Sequence, residues 1–192
     1  MGTSQRNTQR MRITGGSSKG RMLASAGAGK GVRPTGAKVR QALFNILREG
    51  VVGAAFLDLY AGSGAVGFEA LSRGAAGVCF VDKDPAAIDN IKRYPLFCST
   101  PNNQAIVAPA AEALKKFAAR LENFDVVYVD PPYNSDEIDI TLPLIGTGSV
   151  LKKDAVVIVE HPSKRSMSEI SGRLTLKRSY RYGDTILSVY QL

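Results

Sequence analysis

Histidine and cysteine are nearly missing from this 192-residue chain, and tryptophan is missing altogether: it has one His, His161, two Cys, Cys79 and Cys98, and no Trp. A metal centre needs several imidazole or thiolate ligands close together, and there is neither a Cys-x-x-Cys pair nor a second His. Zinc chemistry and a disulfide framework are therefore excluded. Long hydrophobic runs are missing too. No stretch approaches the roughly eighteen apolar residues that span a bilayer, and the N-terminus has no hydrophobic signal core, so the expected location is the cytoplasm. Acidic residues are absent from the first 48 positions, which carry ten Lys and Arg. The remainder holds 15 basic and 17 acidic residues, so the net charge of +8 belongs to the first quarter of the chain. A segment of that kind is drawn to polyphosphate, with an affinity that falls steeply as salt rises.

With 44% hydrophobic residues, the chain can build one globular domain with a full core. Residues 1–10 are polar and aperiodic and read as a disordered extension, with Met11 an alternative start. Residues 11–35 read as a basic unit. Arg12–Thr14 and Arg21–Leu23 flank the glycine-rich tip Gly15-Gly16-Ser17-Ser18-Lys19-Gly20 as a short hairpin, followed by a flexible Gly/Ala stretch. Thr35 is a candidate N-cap for a helix whose Val39, Leu43, Ile46 and Leu47 form an apolar stripe.

From residue 36 to 192 the pattern alternates. Strands are expected near Ala55–Tyr60, Gly77–Asp82, Ala105–Val107, Asp125–Asp130 and Ala155–Glu160, and helices near Ala65–Arg73, Ala86–Arg93, Ala111–Glu122 and Asp136–Ile145. Such repetition predicts an α/β fold with a doubly wound, mostly parallel sheet and right-handed crossovers. Leu174–Tyr182 and Thr185–Gln191, on either side of Gly183-Asp184, predict a closing antiparallel hairpin.

Two motifs carry chemistry. The run Val126-Val127-Tyr128-Val129 reads as a buried strand, and Asp130-Pro131-Pro132-Tyr133 must end it, because neither proline can donate a ladder hydrogen bond. An acid and an aromatic ring are thereby held on a stiff turn at the sheet edge where α/β proteins bind ligands. A carboxylate, a backbone carbonyl and a ring face suit a flat base bearing an exocyclic amine. Upstream, Asp58-Leu59-Tyr60-Ala61-Gly62-Ser63-Gly64 is a glycine-rich loop between strand and helix. Gly62, Gly64 and Gly67 match the dinucleotide fingerprint, and Asp82 stands where a ribose-binding acid belongs, so an NAD-dependent oxidoreductase is one reading. Asp58 favours the other. A carboxylate at the strand end suits the sulfonium and ammonium of S-adenosylmethionine better than an anionic pyrophosphate.

The loop Leu57–Ala75, the Asp130–Tyr133 turn, the segment Arg33-Pro-Thr-Gly-Ala-Lys-Val-Arg-Gln-Ala-Leu-Phe-Asn-Ile-Leu47 and the opening Met11-Arg-Ile-Thr-Gly-Gly16 together resemble the bacterial 16S rRNA guanine-N2 methyltransferases, small-subunit rRNA methyltransferase D, from Met11 to the C-terminus. The resemblance implies a seven-stranded class I methyltransferase fold, S-adenosylmethionine as donor, and 16S rRNA in an assembling small subunit as substrate, with no metal and a monomeric enzyme. It implies that Asp130 and the Pro131 carbonyl, with Pro132 in the turn, hold the target amine while Tyr133 stacks on the base. Asp58, Tyr60, Gly62, Gly64, Asp82, Lys83 and Ala111 would form the cofactor site, with Asp82 on the ribose and Lys83 beside the adenine. Arg12, Lys19, Arg21, Arg33, Thr35 and Arg40 would bind RNA. Ala110 departs from the pattern, because relatives usually carry Asp or Asn there for the adenine amino group, and backbone would have to supply the contact. DNA adenine-N6 and other amine methyl transfer remain as alternatives on the same turn.

Overall fold

The computed structural model describes residues 11–23, 36–133 and 135–192. The described residues open on a small antiparallel pair, β1 (Met11–Arg12) and β2 (Met22–Leu23), closed by the glycine-rich tip. Helix α1 (Ala37–Leu47) follows, and its N-cap position is Gly36, so the cap is not formed at Thr35, which lies outside the described residues. Leu43 and Leu47 of the expected stripe are buried, with Val39 and Ile46 packed at its margin. A single 3-10 turn, Arg48–Val51, leads into the sheet.

The alternation then runs β3 (Ala55–Asp58), α2 (Ala65–Ser72), β4 (Gly77–Asp82), α3 (Pro85–Lys92), the one-turn helix α4 (Pro95–Cys98), β5 (Gln104–Val107), α5 (Ala110–Arg120), β6 (Phe124–Val129), α6 (Glu137–Gly146), β7 (Leu151–Pro162), β8 (Ile170–Ser171), β9 (Leu174–Tyr182) and β10 (Thr185–Gln191). Local chemistry sets several of these starts. Asp84 caps α3 by accepting the Ala86 N–H at 2.9 Å, and Pro85 occupies the first turn, where its missing N–H costs nothing.

Among the described residues the main sheet has eight strands in the order β5-β4-β3-β6-β7-β10-β9-β8. The first five are parallel, while β10 inserts antiparallel between β7 and β9. The implied seven-stranded sheet is present and gains the two-residue β8 at its edge. Strand β7 begins earlier than expected, so Lys152 and Lys153 stand on it, and Lys152 pairs with Asp125 at 2.7 Å. Two apolar clusters lie on opposite faces of the sheet. One joins α1, α2 and α3 to residues such as Phe56 and Phe80, and the other joins α5 and α6 to Leu57, Val127 and Val157. Strand order runs outward from β3 to β5 on one side and from β6 to β7 on the other, so the carboxyl ends of the parallel neighbours β3 and β6 are the switch point where such sheets bind ligands.

Candidate active site

The glycine loop leaves β3 at this switch point. Leu59 donates its N–H to the Tyr128 carbonyl at 3.1 Å and Ala61 to the Val81 carbonyl at 2.9 Å, so the loop is pinned to both neighbouring strands. Gly62 and Gly64 have φ of +51° and +75°, a region closed to most side chains. A Cβ on Gly64 would stand 2.7 Å from the Phe68 ring, whereas one on Gly62 would meet nothing within 4 Å, so the space beside Gly62 is open. At Gly67 a Cβ would come within 2.2 Å of the Phe80 ring, which is the close helix-to-strand approach that the third glycine permits.

Two carboxylates control the loop. Asp82 accepts the Gly62 N–H at 2.7 Å through one oxygen and the Asp84 N–H at 2.9 Å through the other. Asp58, 1% exposed, accepts the Gly67 N–H at 3.0 Å. Burial pushes the Asp58 carboxyl up to about 7, against the lowering effect of the Gly67 hydrogen bond, and the nearby Asp82 adds to the rise. Asp58 therefore lies beneath the loop and does not present its carboxylate to solvent. Its influence on the open space is its charge and its hold on α2. In a dinucleotide site the loop amides face pyrophosphate. Here the Gly62 amide is taken by Asp82 and the Gly64 amide by the Ala61 carbonyl at 2.7 Å. Two acids and occupied amides favour a cationic ligand over an anionic pyrophosphate at this loop.

Tyr60 donates to Glu137 at 2.9 Å, linking the loop to α6, and burial raises its hydroxyl above the ordinary tyrosine value. Lys83 is exposed next to Asp82. Ala110 is buried and opens α5, with Ala111 half-buried behind it; Pro109 precedes them with no side-chain cap. The first-turn amides of α5 have no partner within the helix, so backbone is available where a side chain is lacking.

At the end of β6, Asp130 is half-buried, Pro131 buried, and Pro132 and Tyr133 exposed. The Tyr133 ring is tethered by its hydroxyl. That oxygen lies 2.8 Å from Thr185 Oγ1 on β10 and donates to Glu160 Oε1 on β7 at 3.4 Å. Glu160, 3% exposed, also accepts a short hydrogen bond from the Tyr128 hydroxyl. Glu160 and Thr185 were not singled out in the sequence, although an acid directly following Val156-Val157-Ile158-Val159 needs a buried partner and was a usable signal. His161 is held by hydrogen bonds within the sheet edge. Its Nε2 lies 2.8 Å from Ser188 Oγ and its Nδ1 3.0 Å from the Pro162 carbonyl. Burial holds its pKa below the ordinary value, against the Pro162 bond and with help from Arg165.

The basic hairpin is fastened to α2 by one buried acid. Glu69 accepts the Thr14 N–H at 2.7 Å and the Thr14 hydroxyl at 2.8 Å, and pairs with Arg73 at 2.9 Å. Ser72 Oγ accepts the Ser18 N–H at 2.9 Å and donates to the Gly15 carbonyl at 2.6 Å. Arg12, Lys19 and Arg21 are exposed on this hairpin. Arg40, expected to contact RNA, is instead 1% exposed: it donates to the Arg12 carbonyl at 2.6 Å and lies 3.4 Å from Glu69. The reason is helical spacing, which puts residue 40 on the same face as buried Leu43, Phe44 and Leu47. Arg33 and Thr35 lie outside the described residues.

Comparison with known proteins agrees with this architecture. A family profile described as "Conserved hypothetical protein 95" matches residues 11–191. "Putative rRNA methyltransferase YlbH" of Bacillus subtilis is 37% identical over 94% of this chain and 98% of its own length. "Ribosomal RNA small subunit methyltransferase D" of Escherichia coli is 31% identical over 94% of this chain and 89% of its own. The solved structure of "Putative methyltransferase yhhF" from Escherichia coli superposes with a TM-score of 0.80 at 31% identity, covering 95% of this chain and 97% of that one. The chain has the class I methyltransferase fold, belongs to the family described as Conserved hypothetical protein 95, and groups with the small-subunit rRNA methyltransferase D proteins.

Proposed function

We propose that this protein methylates the exocyclic N2 of a guanine in 16S rRNA, acting as a cytoplasmic monomer on a small subunit under assembly. S-adenosylmethionine, the donor, supplies an activated methyl group on a cationic sulfur. The observation that carries the reading is the placement of Asp130-Pro131-Pro132-Tyr133 at the end of β6, beside the glycine loop that ends β3, with the Tyr133 ring tethered from behind. Asp58 and Asp82 make the loop a cation site, with Asp82 and the Gly62 edge facing the ribose and methionine portions. Tyr133 gives a base drawn out of its stack a replacement stacking surface.

Guanine N2 is a poor nucleophile because its lone pair is delocalised into the ring, so positioning carries most of the rate. Asp130 and the Pro131 carbonyl accept the two N–H bonds of the amine and favour its pyramidal form. Asp130 then stabilises the positive charge that develops on nitrogen and receives the proton released. Asp130→Ala should abolish transfer of tritiated methyl to undermethylated 30S particles while leaving S-adenosylmethionine affinity by calorimetry nearly unchanged. Most activity surviving in this variant, or label released by digestion as anything but N2-methylguanosine, overturns the assignment.

A further inference from the structure

Strand β9 carries a surface that neither the cofactor site nor the basic hairpin uses. Its sequence is Leu-Thr-Leu-Lys-Arg-Ser-Tyr-Arg-Tyr, and no acid occurs between Ile170 and Gly183. Pairing with β10 fixes the faces: Tyr182 stands opposite Thr185, Tyr180 opposite Leu187 and Arg178 opposite Val189. Directly paired residues of antiparallel strands project to the same side of the sheet. Leu187 and Val189 belong to the cluster that holds α1, and Tyr180 packs at its margin, so Tyr182, Tyr180 and Arg178 line that face beyond the helix. Thr185 shares the face, and its hydroxyl is the one that tethers Tyr133. An aromatic track therefore continues from Tyr133 through Tyr182 to Tyr180, and the Arg178 guanidinium lies 5.6 Å from the Tyr180 ring centroid. Tyr182 and Arg178 are exposed, and no strand pairs with the outer edge of β9 from Lys177 to Tyr182 among the described residues.

We propose that Tyr182, Tyr180 and Arg178 form a platform for single-stranded RNA, receiving nucleotides that adjoin the base held at Tyr133. Alternate strand residues lie about 7 Å apart. Bases seated on them must be pulled apart from the roughly 3.4 Å spacing of a duplex strand, so the track selects splayed single strand over helix. Arg178 supplies the phosphate contact, whereas Arg181, paired with Ile186, projects from the opposite face of the sheet. Arg178 and Tyr180 also line, with Lys177, a groove that carries Asp125 and Asp154 among its other lining residues, and Asp125 is paired there with Lys152. The inference rests on rRNA being the substrate. Its alternative is that β9 carries charge only to keep an open sheet edge from pairing with other chains.

The test uses the full chain and a fluorescein-labelled single-stranded RNA of about ten nucleotides, with a duplex of equal length beside it. Wild type should prefer the single strand. Tyr182→Ala with Arg178→Ala should weaken that binding by about tenfold or more and flatten the slope of log affinity against log salt by about 0.7. Tyr182→Phe should retain affinity, and S-adenosylmethionine titration should be the same for all, which shows the fold intact. An unchanged affinity and salt slope in the double variant overturns the platform, as does a double variant that only aggregates without losing RNA affinity. Loss of single-strand binding in the variant, in a protein that labels no 30S particle, would leave the platform standing and sink the methyl-acceptor reading alone. Full labelling of particles by the double variant with unchanged RNA affinity does the reverse.

Discussion

Asp58 shows how a single residue couples the site to pH. Its carboxyl is raised to about 7 chiefly by burial. The folded protein therefore binds more protons than the unfolded chain between about pH 4 and pH 7, and stability falls as pH rises through that window, by up to about 1.4 kcal/mol per unit. Asp58→Asn should flatten that slope in urea titrations at pH 5 and 7.5, and an unaltered slope would show that Asp58 is not the group involved. A cation bound beside the loop favours the ionised form. Donor affinity should therefore increase from pH 6 to 8 in wild type but not in Asp58→Asn, with proton release seen by calorimetry in buffers of differing ionisation enthalpy. The motif made Asp58 visible in the sequence, but its depth was invisible: a strand-ending acid and a buried one are written alike.

Among the elements, the hairpin β1–β2 forms where the sequence placed it and is also anchored to the core. Its charge marks it as an RNA-binding arm, yet Ile13 and Leu23 are 1% and 3% exposed and its backbone is bonded to Glu69 and Ser72 of α2. A solvated carboxylate is cheap, but Glu69 is fully buried, and removing its charge strands Arg40. Glu69→Gln should cost about 3 kcal/mol and lower the melting temperature by about 10 °C, with donor affinity at 20 °C retained. A shift below about 2 °C would mean that the hairpin is held by its apolar contacts alone. The clue was present in Ala65-Val-Gly-Phe-Glu-Ala-Leu-Ser72, where a lone acid among apolar helix residues calls for a partner. Arg40, on the buried stripe of α1, is such a partner together with Arg73 four residues along α2. Charge summed over a segment hides such pairs, because it counts cations without asking which face they occupy.

For the whole molecule, alternating strand and helix patterns were enough to anticipate a doubly wound sheet, since βα repetition with right-handed crossovers leaves few topologies. The glycine loop and the Asp130 turn were legible for the same reason: each breaks a strand by a rule that acts locally. What brings Glu160, Thr185 and Tyr133 together is long-range, because β10 pairs with β7 and carries Thr185 to the site from 52 residues beyond Tyr133. No local pattern encodes that meeting. The hairpin packs into one of the two clusters, and both clusters draw residues from the strands of one sheet, so the described parts should unfold as one unit, with calorimetric and van't Hoff enthalpies in agreement. Two resolved transitions would show the hairpin and α2 melting apart from the remaining sheet.

The tyrosines bound to Glu160 also give the molecule an optical signature. Because the chain has no Trp, its seven Tyr are the dominant emitters, with no indole to drain their excitation. Tyr128 and Tyr133 donate to one carboxylate, an environment that sets their emission apart from that of a solvated phenol. A nucleobase arriving on the Tyr133 face would quench that ring directly. Substrate capture can therefore be followed in the unlabelled protein by steady-state or stopped-flow tyrosine fluorescence, and a ring that fails to quench would be one that the base never reaches.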